Sequence, residues 1–121
     1  MKEKIKISID LMGGDNSPDK TLYGIELFLK RNNNIEDCFF YLFGDEKKVG
    51  DKIKNSKYLK SNYKLIDTKI VVSNELSALS SIKKGKGSSM WESISSQNLL
   101  NSDVTLSAGN TGVLLVLSKM I

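Results

Sequence analysis

A chain of 121 residues, 40% hydrophobic and 26% charged, has the size and composition of one ordinary folded domain. It nowhere holds the ~18 uninterrupted apolar residues of a membrane span. The net charge is +4, with 17 lysines, one arginine and no histidine, which removes Ser–His and Cys–His catalysis and the commonest metal ligand. The lysines between Lys47 and Lys69 are interleaved with Asp45, Glu46, Asp51 and Asp67. That is a solvated surface, not the arginine-rich face with exposed aromatics that nucleic acid selects. Apolar residues in the opening MKEKIKISID alternate and never form a continuous run, unlike a secretory signal. The single cysteine, Cys38, sits beside Phe39 and Phe40 and reads as a small buried core residue. The expected compartment is the cytoplasm.

In chain order, Ile5, Ile7 and Ile9 alternate with Lys6 and Ser8, predicting a strand over 5–10 that ends at Asp10. A glycine-rich turn, LMGGDNSP, follows. Ser17 and Pro18 offer a hydroxyl N-cap and a proline at the first helical position, and Leu22, Ile25 and Leu29 keep helical spacing through Lys30. CFFYLF (38–43) reads as an apolar strand closed by Gly44, and Asp45 as the cap of a helix over 46–55. TKIVVS (68–73) reads as a third strand, and NELSALSSI as a helical turn or an irregular crossing. Ser89 with Glu92 has capping-box spacing, predicting a helix from Ser89 to Leu100. VTLS (104–107) is the fourth strand, and a last helix starts near Thr111. Strands separated by helical segments imply an α/β layered sheet of parallel βαβ units. The last helix is apolar on every side from Val113 to Leu117 and reaches Ile121 without a C-cap, so it is expected to need covering by further polypeptide.

Three turns share one chemistry: LMGGDN after the first strand, KKGKGSSM before a helix, and SAGNTG after the fourth strand. In a parallel sheet, ligands sit outside the carboxyl ends of the strands. Glycines there let backbone N–H groups approach closely, and helix N-termini add unpaired donors and partial positive charge. With Lys83, Lys84 and Lys86 nearby, such an edge suits an anion, most naturally a phosphate. Each turn also has a purely structural reading. Gly13 and Gly14 serve a tight turn, Ser89 caps a helix, and Asp10 and Asp15 cap the N–H groups of their own turn.

Taken in order, IDLMGGDNSP (9–18), KGSSM (86–90) and SAGNTGVLL (107–115) resemble the bacterial phosphate acyltransferases of phospholipid synthesis, the PlsX type. That family shows an Asp-Ala-Met-Gly-Gly-Asp-His-Ala-Pro start, a Lys-Asp-Ser-Ser-Met segment and a Ser-Ala-Gly-Asn-Thr-Gly-Ala-Leu turn. Here Asn16 stands in place of the histidine, Leu11 in place of the first alanine and Gly87 in place of the aspartate. Members are almost three times as long, so the resemblance covers their N-terminal third and the chain is expected to be a truncated N-terminal portion.

The resemblance implies a doubly wound α/β fold similar to isocitrate and isopropylmalate dehydrogenases. It also implies transfer of a fatty acyl group from acyl carrier protein to inorganic phosphate, giving acyl phosphate. The expected full-length form is a cytoplasmic homodimer at the inner membrane face, supplying a membrane glycerol-phosphate acyltransferase, with no metal or organic cofactor. Inorganic phosphate is itself an ionised nucleophile near neutral pH, so the site need only place it against the thioester and stabilise the oxyanion. The candidate catalytic residues are Asn110, Thr111 and Ser107. Candidate binding residues for phosphate or the acyl donor are Asp10, Gly13, Gly14, Asp15, Asn16, Lys86, Ser88, Ser89, Gly109 and Gly112. The alternatives are a non-catalytic truncated remnant and a short-chain phosphotransacylase acting on coenzyme A thioesters; the first motif favours the carrier-protein type. Alone, the chain is expected to be inactive and loosely packed or aggregating, because its last helix has no polar face.

Overall fold

Period-two alternation places Ile7 and Ile9 of β1 (Ile5–Asp10) on one face of a sheet and Ser8 and Asp10 on the other. The computed structural model describes residues 4–32, 37–73, 77 and 80–121, the side chains of 81 and 82 excepted. After β1 come α1 (Asp19–Arg31), β2 (Cys38–Gly44), α2 (Glu46–Lys54) and β3 (Tyr63–Asp67). Then follow α3 (Ser81–Lys84), α4 (Ser89–Leu99), β4 (Val104–Ser107) and α5 (Thr111–Met120). Among the described residues the sheet has four strands in the order β3-β2-β1-β4. Every pairing is parallel, so the fold is α/β and doubly wound.

The two faces carry different cores. Ile9, Phe40 and Leu42 pack with Leu22, Ile25 and Leu29 of α1 and with Val49 and Ile53 of α2. Each fully buried side chain of this size contributes roughly 1.5–3 kcal/mol. On the opposite face α4 approaches β1 through small hydroxyl residues, with Ser8 Oγ and Ser96 Oγ 2.5 Å apart. A second cluster of Val72, Met90, Ile94, Val113 and Leu117 joins α4 to α5. One stripe of α5 is therefore covered, whereas Leu115 and Met120 remain exposed. An ion pair between Lys52 and Asp19 ties α2 to α1.

Three local expectations are corrected. The third strand is Tyr63–Asp67, not 68–73. β2 ends at Gly44, which is paired with Asp67. Beyond one bond from Thr68 N to the Gly44 carbonyl (2.9 Å), the run has no β2 backbone left to meet. It continues past the sheet edge, where Ile70 makes an isolated bridge to Ser88. Ser17 does not cap α1: the cap position is Pro18, without a side-chain bond, because the Ser17 hydroxyl donates to the Gly13 carbonyl (2.5 Å). Cys38 is half-buried, at the start of β2 against the rim of the first core. Asp45 caps α2 as expected, accepting from Lys47 N. Of NELSALSSI, residues 74–76 and 78–79 lie outside the described residues. Among the described residues no helix is long and apolar enough to cross a membrane.

Candidate functional site

The chain places β2 and β3 to one side of β1 and then returns to place β4 on the other. The strand order therefore reverses between β1 and β4, and the crevice outside their carboxyl ends is where such sheets hold ligands. The two strands end together, with Asp10 and Ser107 as register partners.

Asp10 is 1% exposed, and four neutral donors converge on its carboxylate. Oδ1 accepts from Met12 N (3.1 Å), Gly13 N (3.1 Å) and Ser89 Oγ (2.5 Å). Oδ2 accepts from Ser107 Oγ (2.8 Å). A buried carboxylate is tolerated only when its lone pairs are met in this way, and here meeting them ties all three glycine–hydroxyl turns to one residue. Backbone contact reinforces the junction. A Cβ on Gly13 would lie 2.5 Å from Asp10 Oδ2 and 3.0 Å from Gly109 Cα and N. Gly14 has φ +93° and would bring a Cβ within 2.7 Å of the Ala108 carbonyl. The LMGGDN and SAGNTG turns thus touch back to back, with room for hydrogen alone.

Within SAGNTG, Gly109 N donates to Ser107 Oγ (3.1 Å). Asn110 is the N-cap of α5: its Oδ1 accepts from Val113 N (3.2 Å) and its Nδ2 donates to the Ser73 carbonyl (3.2 Å). Thr111 and Gly112 occupy the first two positions of α5 and are exposed. By position in the first turn their N–H groups have no carbonyl partner inside the helix.

The KGSSM turn is arranged differently. Ser88, not Ser89, caps α4, its Oγ accepting from Trp91 N (3.1 Å). Ser89 donates its N–H to the Ile70 carbonyl (3.0 Å) and its hydroxyl to Asp10. Both serines are essentially fully buried. Ser89 alone has the capping-box spacing to Glu92, but its hydroxyl is taken by Asp10, and Ser88 caps instead. Lys86 is exposed on this turn, as are Asp15 and Asn16 (φ 59°) on the first. Direct contacts therefore unite Asp10, Gly13, Gly14, Ser89, Ser107 and Gly109. Asn110, Thr111 and Gly112 extend that junction outward along α5.

A groove of about 660 Å³ runs from this junction between α1 and the β1–β4 side of the sheet. Ile7, Ile9, Ile25, Phe28, Phe40 and Leu106 supply its apolar wall, and Asp10, Asp15, Ser17 and Ser107 its polar end. Sequence reading did not single out these apolar residues. The available signal was Leu106, an apolar residue of the strand that runs into the SAGNTG turn.

Farther along the same sheet edge Lys69 Nζ lies 2.8 Å from Asp45 and 3.2 Å from Asp67. The hydrogen bond from Lys69 holds Asp45 below the usual carboxylate range. Asp67 is lowered chiefly by Glu46 N–H, and Lys69 is raised chiefly by Asp45.

A parallel, doubly wound sheet whose glycine–hydroxyl turns meet at the switch point defines an α/β protein with its candidate site at the carboxyl ends of β1 and β4. The sequence profile of the family described as "Fatty acid synthesis protein" matches residues 5–121, and the chain belongs to that family. It is similar to proteins named phosphate acyltransferase in several bacteria. With that of Pelagibacter ubique it shares 43% identity over 120 residues, 99% of this chain and 34% of the relative. Those of Xanthobacter autotrophicus and Rhodospirillum rubrum are 34% and 33% identical, over 98% and 100% of this chain and 33% and 34% of theirs. The chain spans about a third of the length of the curated relatives it matches.

Proposed function

We propose that this chain carries the phosphate-holding part of an enzyme that moves a fatty acyl group from acyl carrier protein to inorganic phosphate, releasing acyl phosphate. The observation that carries the reading is the meeting of the MGGD and SAGNTG turns at the switch point, with the first turn of α5 facing outward. In this mechanism the N–H groups of Thr111 and Gly112 and the Thr111 hydroxyl hold phosphate, and Lys86 offsets its charge. A phosphate oxygen attacks the thioester carbonyl carbon, the carbonyl oxygen becomes an oxyanion, and the C–S bond breaks to release the carrier's thiolate, which takes a proton from water. Phosphate arrives ionised, so placement and oxyanion stabilisation replace a histidine base. The apolar groove that begins at Asp10 and Ser107 favours a long acyl chain over a short coenzyme A thioester. The name of the relatives, phosphate acyltransferase, agrees with phosphate as an acyl acceptor.

On this reading the whole enzyme works in the cytoplasm as a homodimer and delivers acyl phosphate at the inner membrane face to a glycerol-phosphate acyltransferase. The test is a chimera in which this chain replaces the matching third of the Pelagibacter relative. The expected result is acyl phosphate made from acyl carrier protein and phosphate. A folded chimera that makes none, or that accepts only acetyl-coenzyme A, would overturn the reading.

A further inference from the structure

We propose that Asp10 is a positioning residue, acting through Ser107 to fix the backbone donors at the start of α5. The inference rests on the reading of that helix start as the phosphate site. A carboxylate offers only acceptors, and Ser107 Oγ lies 2.8 Å from Asp10 Oδ2, so the single hydroxyl proton of Ser107 points at Asp10. Its oxygen then has only lone pairs left, and one of them receives Gly109 N–H at 3.1 Å. The chain of bonds runs in one direction: Gly109 N–H to Ser107, Ser107 O–H to Asp10. Polarisation along such a chain strengthens each bond.

Two consequences follow. Ser107 has no proton to give a phosphate or an oxyanion, so it is a relay and not a donor to substrate. Asp10 is 1% exposed with both oxygens engaged, so it does not act as a base toward substrate. What it governs is the orientation of the peptide at Gly109, two residues before Thr111. The other end of the same turn is pinned by the Asn110 cap on Val113 N. Between these two anchors the N–H groups of Thr111 and Gly112 are held ready before a ligand arrives, which is the preorganisation that placement catalysis needs.

The test follows amide exchange at Gly109 together with titration of inorganic phosphate, both by NMR on the isotope-labelled chimera with the Pelagibacter relative. Ser107→Ala is expected to speed Gly109 exchange at least tenfold relative to the amide of Leu42, and to weaken phosphate binding about tenfold. Asp10→Asn, nearly the same shape, turns the Ser107 proton away and is expected to weaken phosphate several-fold. Ser107→Thr keeps the hydroxyl and is expected to restore both readouts. Ser93→Ala removes a buried hydroxyl that donates to the Met90 carbonyl. It lowers stability but leaves phosphate affinity within twofold, which separates positioning from mere destabilisation. Unchanged Gly109 exchange in Ser107→Ala, or failure of Ser107→Thr to restore it, overturns the relay. Should Ser107→Ala not fold, the comparison of Asp10→Asn with Ser107→Thr decides the same question. If the unaltered chimera takes up no phosphate, the phosphate reading fails, while the relay still stands or falls on Gly109 exchange, which needs no ligand.

Discussion

Replacing Gly13 by alanine tests whether the LMGGDN and SAGNTG turns meet as closely as described. The added Cβ would lie 2.5 Å from Asp10 Oδ2 and 3.0 Å from the backbone of Gly109. Neither neighbour can yield cheaply, because Oδ2 is held by Ser107 and Gly109 by its own bond to Ser107. Overpacking of this kind costs about 1–3 kcal/mol. Gly24 supplies the opposite case: it lies inside α1, is exposed, and has nothing within 4 Å of its Cβ position. Alanine there gains about 0.8–1.0 kcal/mol of helix propensity. For a chain of this size each kcal/mol moves the unfolding midpoint by about 4 °C. Thermal unfolding followed by circular dichroism should therefore show Gly13→Ala falling by roughly 4–12 °C and Gly24→Ala rising by roughly 3–4 °C. A Gly13→Ala protein as stable as the unaltered chain would refute the back-to-back contact, and with it the shared junction.

Ser88→Ala should cost about 1 kcal/mol by orphaning Trp91 N at the start of α4, read from urea unfolding; a cost near zero would return the cap to Ser89. Thr111→Ala, at an exposed first-turn position, should leave stability within about 0.5 kcal/mol. In the chimera it should lower acyl phosphate formation by about tenfold or more, the scale of a hydrogen bond to a charged group, and equal rates would remove the hydroxyl from the site. The Asp45–Lys69–Asp67 cluster predicts a pH dependence with two limbs. The lowered carboxylates contribute stability that is present above 3.8 and lost as pH falls through their folded values. The raised lysine contributes stability that is present below 10.5 and lost as pH rises through its folded value. Because Lys69 and Asp67 are exposed the effect is small, and Lys69→Met should remove the alkaline limb of unfolding midpoint against pH but only reduce the acid one, since Glu46 N–H still lowers Asp67.

Much of the fold was legible because its signals are local. The alternation of Ile5, Ile7 and Ile9, the cap at Asp45 and the turn residues of SAGNTG each act within a few positions. The missed third strand shows where local signals stop. TKIVVS has the better β-branched composition, yet propensity reflects fit to a pleated, half-buried surface, and beyond Gly44 no neighbouring strand remains. Tyr63 and Leu65 flanking Lys64 carried a weaker period-two signal. That the three turns share the carboxyl edge of the sheet was legible from strand polarity, but the contacts that join them through Asp10 were not. Ser89 and Ser107 reach Asp10 across 79 and 97 residues of chain, and capping patterns do not report contacts of that span. The groove was missed for the same reason: Phe28 and Leu106 come together only after α1 crosses the sheet.

The most direct test of the central claim, that phosphate is held where β1 and β4 end, is titration of the isotope-labelled chimera with inorganic phosphate, observing backbone amides. The account predicts saturable shifts at Thr111 and Gly112, reduced in Ser107→Ala. Shifts confined to the lysine surface between Lys47 and Lys69, or none at the start of α5, would contradict it.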